Sequence, residues 1–134
     1  MGDPAGTGPE LITKACSSPD VLAVCRPVII GDLGVMRAAA RFTDCAAELR
    51  VIETVAEVND SGAIHVVDLK NVNLDKLVRG QVSASCGGAA YDYIKRAVEL
   101  TQSGSTHAVV IVGPNDEVAG MVTQTALLAA FSRP

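Results

Sequence analysis

Four short aliphatic runs, separated mostly by segments with helical spacing, constrain this chain more than anything else in it. "RPVIIGD" (residues 26–32), "LRVIETV" (49–55), "AIHVVDL" (63–69) and "HAVVIVGP" (107–114) are each strand-length and rich in β-branched residues. Between them lie stretches of helical period. Gly8 to Ser17 carries Leu11, Ile12 and Ala15, with Pro9 suited to a first helical turn and Glu10 to the positive end of the dipole. Leu33 to about Phe42 follows Asp32, a natural N-cap. About Ala84 to Gln102 follows Ser83 and ends before Gly104. Strands alternating with helices predict an α/β fold with a mainly parallel sheet flanked by helices. Ser17-Ser18-Pro19 reads as the stop of the first helix, and residues 70–81 as polar and irregular. The purely aliphatic run at 107–114 is expected to be a strand buried on both faces.

Several function classes fall away. At 49% hydrophobic and 19% charged over 134 residues, the chain can build a core and is not a disordered tail. Aromatics are 3% with no Trp, so that core must be aliphatic. Net charge is −4 and no basic cluster exceeds Lys95-Arg96, which argues against nucleic acid as a partner. No apolar run approaches the roughly 20 residues that span a bilayer, and the start lacks a secretory pattern. A soluble, cytoplasmic protein is expected. Cys16, Cys25, Cys45 and Cys86 form no C-x-x-C pair, and read as small buried hydrophobes. His65, within a strand, and His107, at a strand start, read as structural, so no metal ligand is assigned.

The opening "MGDPAGTGPEL" carries the chemistry. A glycine-rich turn feeding a helix start gathers N–H groups and the dipole on one point, which suits an anion. Gly6, Thr7 and Gly8 are the candidate ligand-binding residues there, and Asp3 offers a carboxylate to a hydroxyl. The spacing matches neither a G-x-G-x-x-G fingerprint nor a P-loop, so a tight connection with no ligand role stands beside this reading. Gln81, Ser83 and Ser85 at the mouth of the long helix pose the same choice between a phosphate site and a plain cap.

"MGDPAGTGPEL" resembles the N-terminal motif of the 4-hydroxythreonine-4-phosphate dehydrogenase family of vitamin B6 biosynthesis, whose relatives act on phosphorylated threonate or erythronate. "PVIIGDLGVMRAAA" is similar to that family's second strand and helix, and "GQVSASCGGAAYDYIKRAVEL" to its G-Q-x-S-x-x-x-G-x-x-A-x-x-x-I segment. The likeness covers roughly residues 1–113. It implies a partial isocitrate/isopropylmalate-dehydrogenase-like domain and an NAD-dependent oxidation of a phosphorylated hydroxy acid. It also implies a histidine-bound divalent metal and a homodimer. On this likeness Asp3, Gly6, Thr7 and Gly8 are the substrate- or cofactor-binding positions, with no catalytic residue assigned.

Where the family carries T-x-P-x-N-K-E, this chain has "VGPNDE", with Val112 at the threonine position and Asp116 at the lysine. The family's histidine-threonine motif and metal histidines have no counterpart among these residues. The expectation is a shortened N-terminal α/β domain over 1–113, and a divergent tail over 114–134 whose Val118, Met121, Val122, Ala126, Leu127, Ala130 and Phe131 keep helical spacing. Alone, the chain is expected not to turn over and not necessarily to bind NAD or metal. A non-catalytic phosphate- or nucleotide-binding module and a degenerate gene product are the rival readings.

Overall fold

The computed structural model describes residues 1–112 and 118–123. Helix α1 (Gly8–Cys16) is followed by α2 (Pro19–Val24), β1 (Val28–Gly31), α3 (Leu33–Phe42), β2 (Leu49–Val51), β3 (Ile64–Asp68), α4 (Ala84–Gln102), β4 (Ala108–Val112) and β5 (Val118–Thr123). The chain divides into two compact units, Met1–Tyr93 and a second beginning at Ile94. This division follows packing. The 1–113 and 114–134 division follows the family text.

In the first unit three strands form a parallel sheet in the order β1-β3-β2. Val28 faces His65 and Gly31 faces Asp68 across one pair, and Leu49 faces Ile64 across the other. Central β3 is buried along Ile64 to Val67, as a strand covered on both faces must be. Its side chains alternate. Ile64 and Val66 join Cys16, Ile29 and Met36 in one core cluster, against which Met1, Ile12 and Leu49 pack. Each such side chain stabilises the fold by about 1.5–3 kcal/mol through burial. Thr13 of α1 is also fully buried, and its hydroxyl is satisfied by Glu10 O at 2.7 Å and Thr43 Oγ1 at 2.9 Å.

Asp32 caps α3 as its position predicts: Oδ1 accepts from Gly34 N at 2.9 Å and Val35 N at 3.1 Å. Ser83 likewise accepts from Cys86 N at 3.2 Å at the start of α4. Gly104 takes φ +79° just past that helix, the left-handed conformation glycine allows.

Five expectations are corrected. Pro19 does not merely end α1; it opens α2 as a first-turn residue, where a missing N–H costs nothing. The second strand stops at Val51 rather than Val55, because Glu57 Oε1 reaches back to Glu53 N (3.0 Å) and Thr54 N (2.7 Å) and winds residues 55–57 into a 3₁₀ turn. The fourth strand does not extend the parallel sheet. Among the described residues it pairs with β5 in a two-stranded sheet, and that pairing is antiparallel because a five-residue connection cannot make the crossover that parallel pairing needs. The helix expected from Val118 onward is a strand over Val118–Thr123, where Val118, Val122 and Thr123 favour extended backbone. The rest of that expectation, residues 124–134, lies outside the described residues. Finally, Cys16 and Cys86 are buried as expected, but Cys45 is half-buried and Cys25 exposed.

Candidate functional site

The opening turn is fixed from three sides. Internally, Gly6 N donates to Asp3 O at 3.0 Å and Ala5 N donates to Asp3 Oδ1 at 2.8 Å, with Pro4 and Ala5 buried beneath. Asp3 thus spends one carboxylate oxygen on the turn itself and remains exposed. Toward the sheet, the Met1 amine donates to Ile30 O at 2.8 Å, and burial pulls its pKa down to about 6. The Met1 side chain lies so close over Gly31 that a Cβ there would sit 2.9 Å from it. The turn therefore stands at the carboxyl end of β1, the end where open α/β sheets place ligands.

The third attachment comes from far along the chain. Gly80 N donates to Ala5 O at 2.7 Å, and Gly80 holds φ +74° to do so. The preceding Arg79 donates to Glu10 Oε1 at 3.0 Å and lies 5.0 Å over the Phe42 ring. Both partners are partly solvated, so this pair contributes at most about 1 kcal/mol. Its importance is position: it puts a guanidinium beside the start of α1.

At that start Thr7 is already near helical (φ −82°, ψ −14°), and its hydroxyl makes no cap. Thr7 O accepts from both Glu10 N and Leu11 N at 3.1 Å. Among the described residues nothing accepts from the N–H of Thr7 or Gly8. Gly8 is required sterically, because a Cβ would meet Met1 O at 2.5 Å. Gly6 is less constrained, its nearest contact being Asp3 O at 3.4 Å. So of the four residues singled out in sequence, Thr7 and Gly8 offer free donors, Asp3 braces the turn, and Gly6 permits the bend. Ser83 and Ser85 lie 3.1 Å apart by their hydroxyls, and Ser83 caps α4. The Gly80–Ala5 bond ties Gly80, three positions before Ser83, to the opening turn.

A polar frame, buried at Asp32 and Tyr93 and open to solvent at Lys70 and Asp92, supports this end of the sheet. Asp32, while capping α3, also accepts from Val72 N at 3.2 Å through Oδ2. Asp68 Oδ1 accepts from Leu33 N (3.0 Å) and Lys70 N (3.1 Å). Tyr93 OH donates to Asn71 Oδ1 at 2.9 Å, and Asn71 Nδ2 to Asp92 Oδ2 at 3.0 Å. Burial first, then the charges of Asp32, Asp68 and Asp92, holds the Tyr93 phenol well above its ordinary value. Sequence reasoning missed Arg79, Glu10 and Asn71 as parts of this arrangement. Arg79 and Glu10 are 69 positions apart, a pairing no local spacing reveals.

The unpaired amides fit a phosphate or another anionic group. The described residues do not fit a catalytic metal: no group of three or more His, Cys, Asp or Glu among them could hold one. His65 is buried within β3 and His107 is exposed in the second unit.

Residues 23–125 match the family described as pyridoxal phosphate biosynthetic protein PdxA. A protein of Symbiobacterium thermophilum, provisionally named D-threonate 4-phosphate dehydrogenase, is 42% identical over 120 residues, covering 89% of this chain and 36% of that protein. One of the same provisional name from Fusobacterium nucleatum is 37% identical over 118 residues, covering 87% and 36%. The crystal structure of a 4-hydroxythreonine-4-phosphate dehydrogenase from Burkholderia phymatum superposes with TM-score 0.75 at 42% identity, covering 80% of this chain and 32% of that one. That of the Klebsiella pneumoniae enzyme gives 0.73 at 32% identity, covering 80% and 33%. The chain thus spans about a third of the length of the relatives it matches.

Proposed function

The chain belongs to the family of the pyridoxal phosphate biosynthetic protein PdxA, and from that premise we propose that it forms the N-terminal part of a dehydrogenase. The substrate is a small phosphorylated hydroxy acid, 4-phosphooxy-threonine or a close analogue such as threonate 4-phosphate. NAD supplies the hydride acceptor, and the working form is a cytoplasmic homodimer using a divalent metal. Within this chain, the part we assign is anion binding. The N–H groups of Thr7 and Gly8 receive a phosphate of substrate or cofactor, with the α1 dipole behind them. Asp3 keeps one carboxylate oxygen for a hydroxyl. Arg79 turns from Glu10 toward the added charge.

The observation that carries this reading is the pair of unpaired amides, held in place by the Gly8–Met1 approach and the Gly80–Ala5 bond. Amide spectra of the chain titrated with NAD, and separately with threonate 4-phosphate, test it. Saturable shifts centred on Thr7 and Gly8, weakened about tenfold by Arg79→Ala, are expected. Shifts that bypass those two amides refute the assignment. With substrate, NAD and a divalent metal all present, no NADH absorbance is expected from this chain alone, because its described residues hold no metal ligand set.

A further inference from the structure

The way α3 ends brings two free cysteines together. After Phe42 the chain turns back. Asp44 takes φ +51°, a left-handed conformation that aspartate tolerates better than most residues, and Cys45 N donates to Ala40 O at 2.9 Å. This turn lays Cys45 against the last turn of α1. Its Sγ lies 3.1 Å from Ser17 Oγ and donates to Thr13 O at 3.8 Å. Cys16 sits in that same turn of helix, beside Ser17 and three positions after Thr13. A helical side chain leans back over the turn before it, so the Cys16 side chain lies toward Thr13 as well. Cys16 belongs to the core cluster, and Cys45 packs against that cluster. Burial first, then the nearby Cys25 and Cys45, pushes the Cys16 thiol up to about 11. Of the two thiols at this contact, Cys16 is shut in the core and Cys45 is half-buried.

We propose that Cys16 and Cys45 form a reversible disulfide, made by exchange with a small disulfide such as oxidised glutathione. The Cys45 thiolate attacks one sulfur of the small disulfide and releases one small thiol. Cys16 then attacks Cys45 Sγ, the mixed disulfide breaks, and the second small thiol leaves with the Cys16 proton. Two protein thiols and one small disulfide become one protein disulfide and two small thiols. Buried Cys16 has to meet only its neighbour, not the reagent. The bond staples the end of α1 to the loop after α3, and excess small thiol reverses it. Cys25 is exposed, its Sγ engages Val21 O one turn back, and it takes the reagent as a simple adduct. The disulfide does not depend on the dehydrogenase reading.

Trypsin separates the two sides of the bond. Residues 15–37 carry Cys16 and Cys25, and residues 42–50 carry Cys45. The full 134-residue chain, treated with oxidised glutathione, alkylated and digested, is expected to yield these two peptides joined. Dithiothreitol should part them. The joined mass should persist in Cys25→Ser, where Cys16 is the one cysteine left in residues 15–37, and vanish in Cys45→Ser. Glutathione adducts without a joined peptide overturn the proposal. So does a joined peptide that disappears in Cys25→Ser, which makes Cys25 the partner of Cys45.

Discussion

Single residues decide whether the opening turn exists. Gly8→Ala places a Cβ 2.5 Å from the Met1 carbonyl, a backbone atom that cannot rotate away. Urea unfolding should show a loss of about 1–3 kcal/mol, and an unchanged midpoint would mean the Met1 approach is not part of the fold. Asp32→Ala removes acceptors for three N–H groups, those of Gly34, Val35 and Val72. A loss of at least about 2 kcal/mol is expected, and Asp32→Asn should recover part of it by keeping an acceptor oxygen. Asp32 was legible in sequence as a cap because capping is local. Its hold on Val72, 40 positions away, was not. The same holds at the site: Asp3, Gly6, Thr7 and Gly8 could be picked out from one short string, whereas Arg79 is joined to them only by the folded chain.

Among the elements, α4 carries a correctable weakness. Gly87 and Gly88 sit within it, exposed, and a Cβ on either meets nothing within 4 Å. Gly87→Ala and Gly88→Ala should each raise stability by about 0.5–1 kcal/mol, read as a higher denaturant midpoint. A fall would show that the glycines answer a demand other than helix formation. Element type was read best where a cap, a period and a stop agreed. Helix α3 runs Leu33–Phe42, from its Asp32 cap to the expected last residue. It was read worst where a residue has two uses: Pro19 can end one helix or begin another, and Glu57 can sit idle or fold back on Thr54. β5 failed for a third reason, since alternating and helical spacings overlap in six residues rich in valine.

Across the whole molecule, burial shows itself in the response to alkali. Burial pushes the Cys16 thiol from about 9 up to about 11, and the Tyr93 phenol is raised from its ordinary 10. Both hold their protons more tightly folded than unfolded. The contribution of these two groups is therefore complete below pH 9 and declines as pH climbs through 9 to 11, with Cys16 alone accounting for on the order of 2 kcal/mol. The urea midpoint at pH 10.5 should lie below that at pH 8, and a midpoint that rises instead contradicts the burial of both groups. Strand order sets a different kind of timetable. β3 is the partner of both β1 and β2, yet it is made after them. On a ribosome the first two strands must wait, unzipped, until Asp68 has been added. At roughly 5–20 residues per second, the 17 positions from Val51 to Asp68 take about 1–3 s, a window in which a chaperone meets two bare ribbons rather than a sheet.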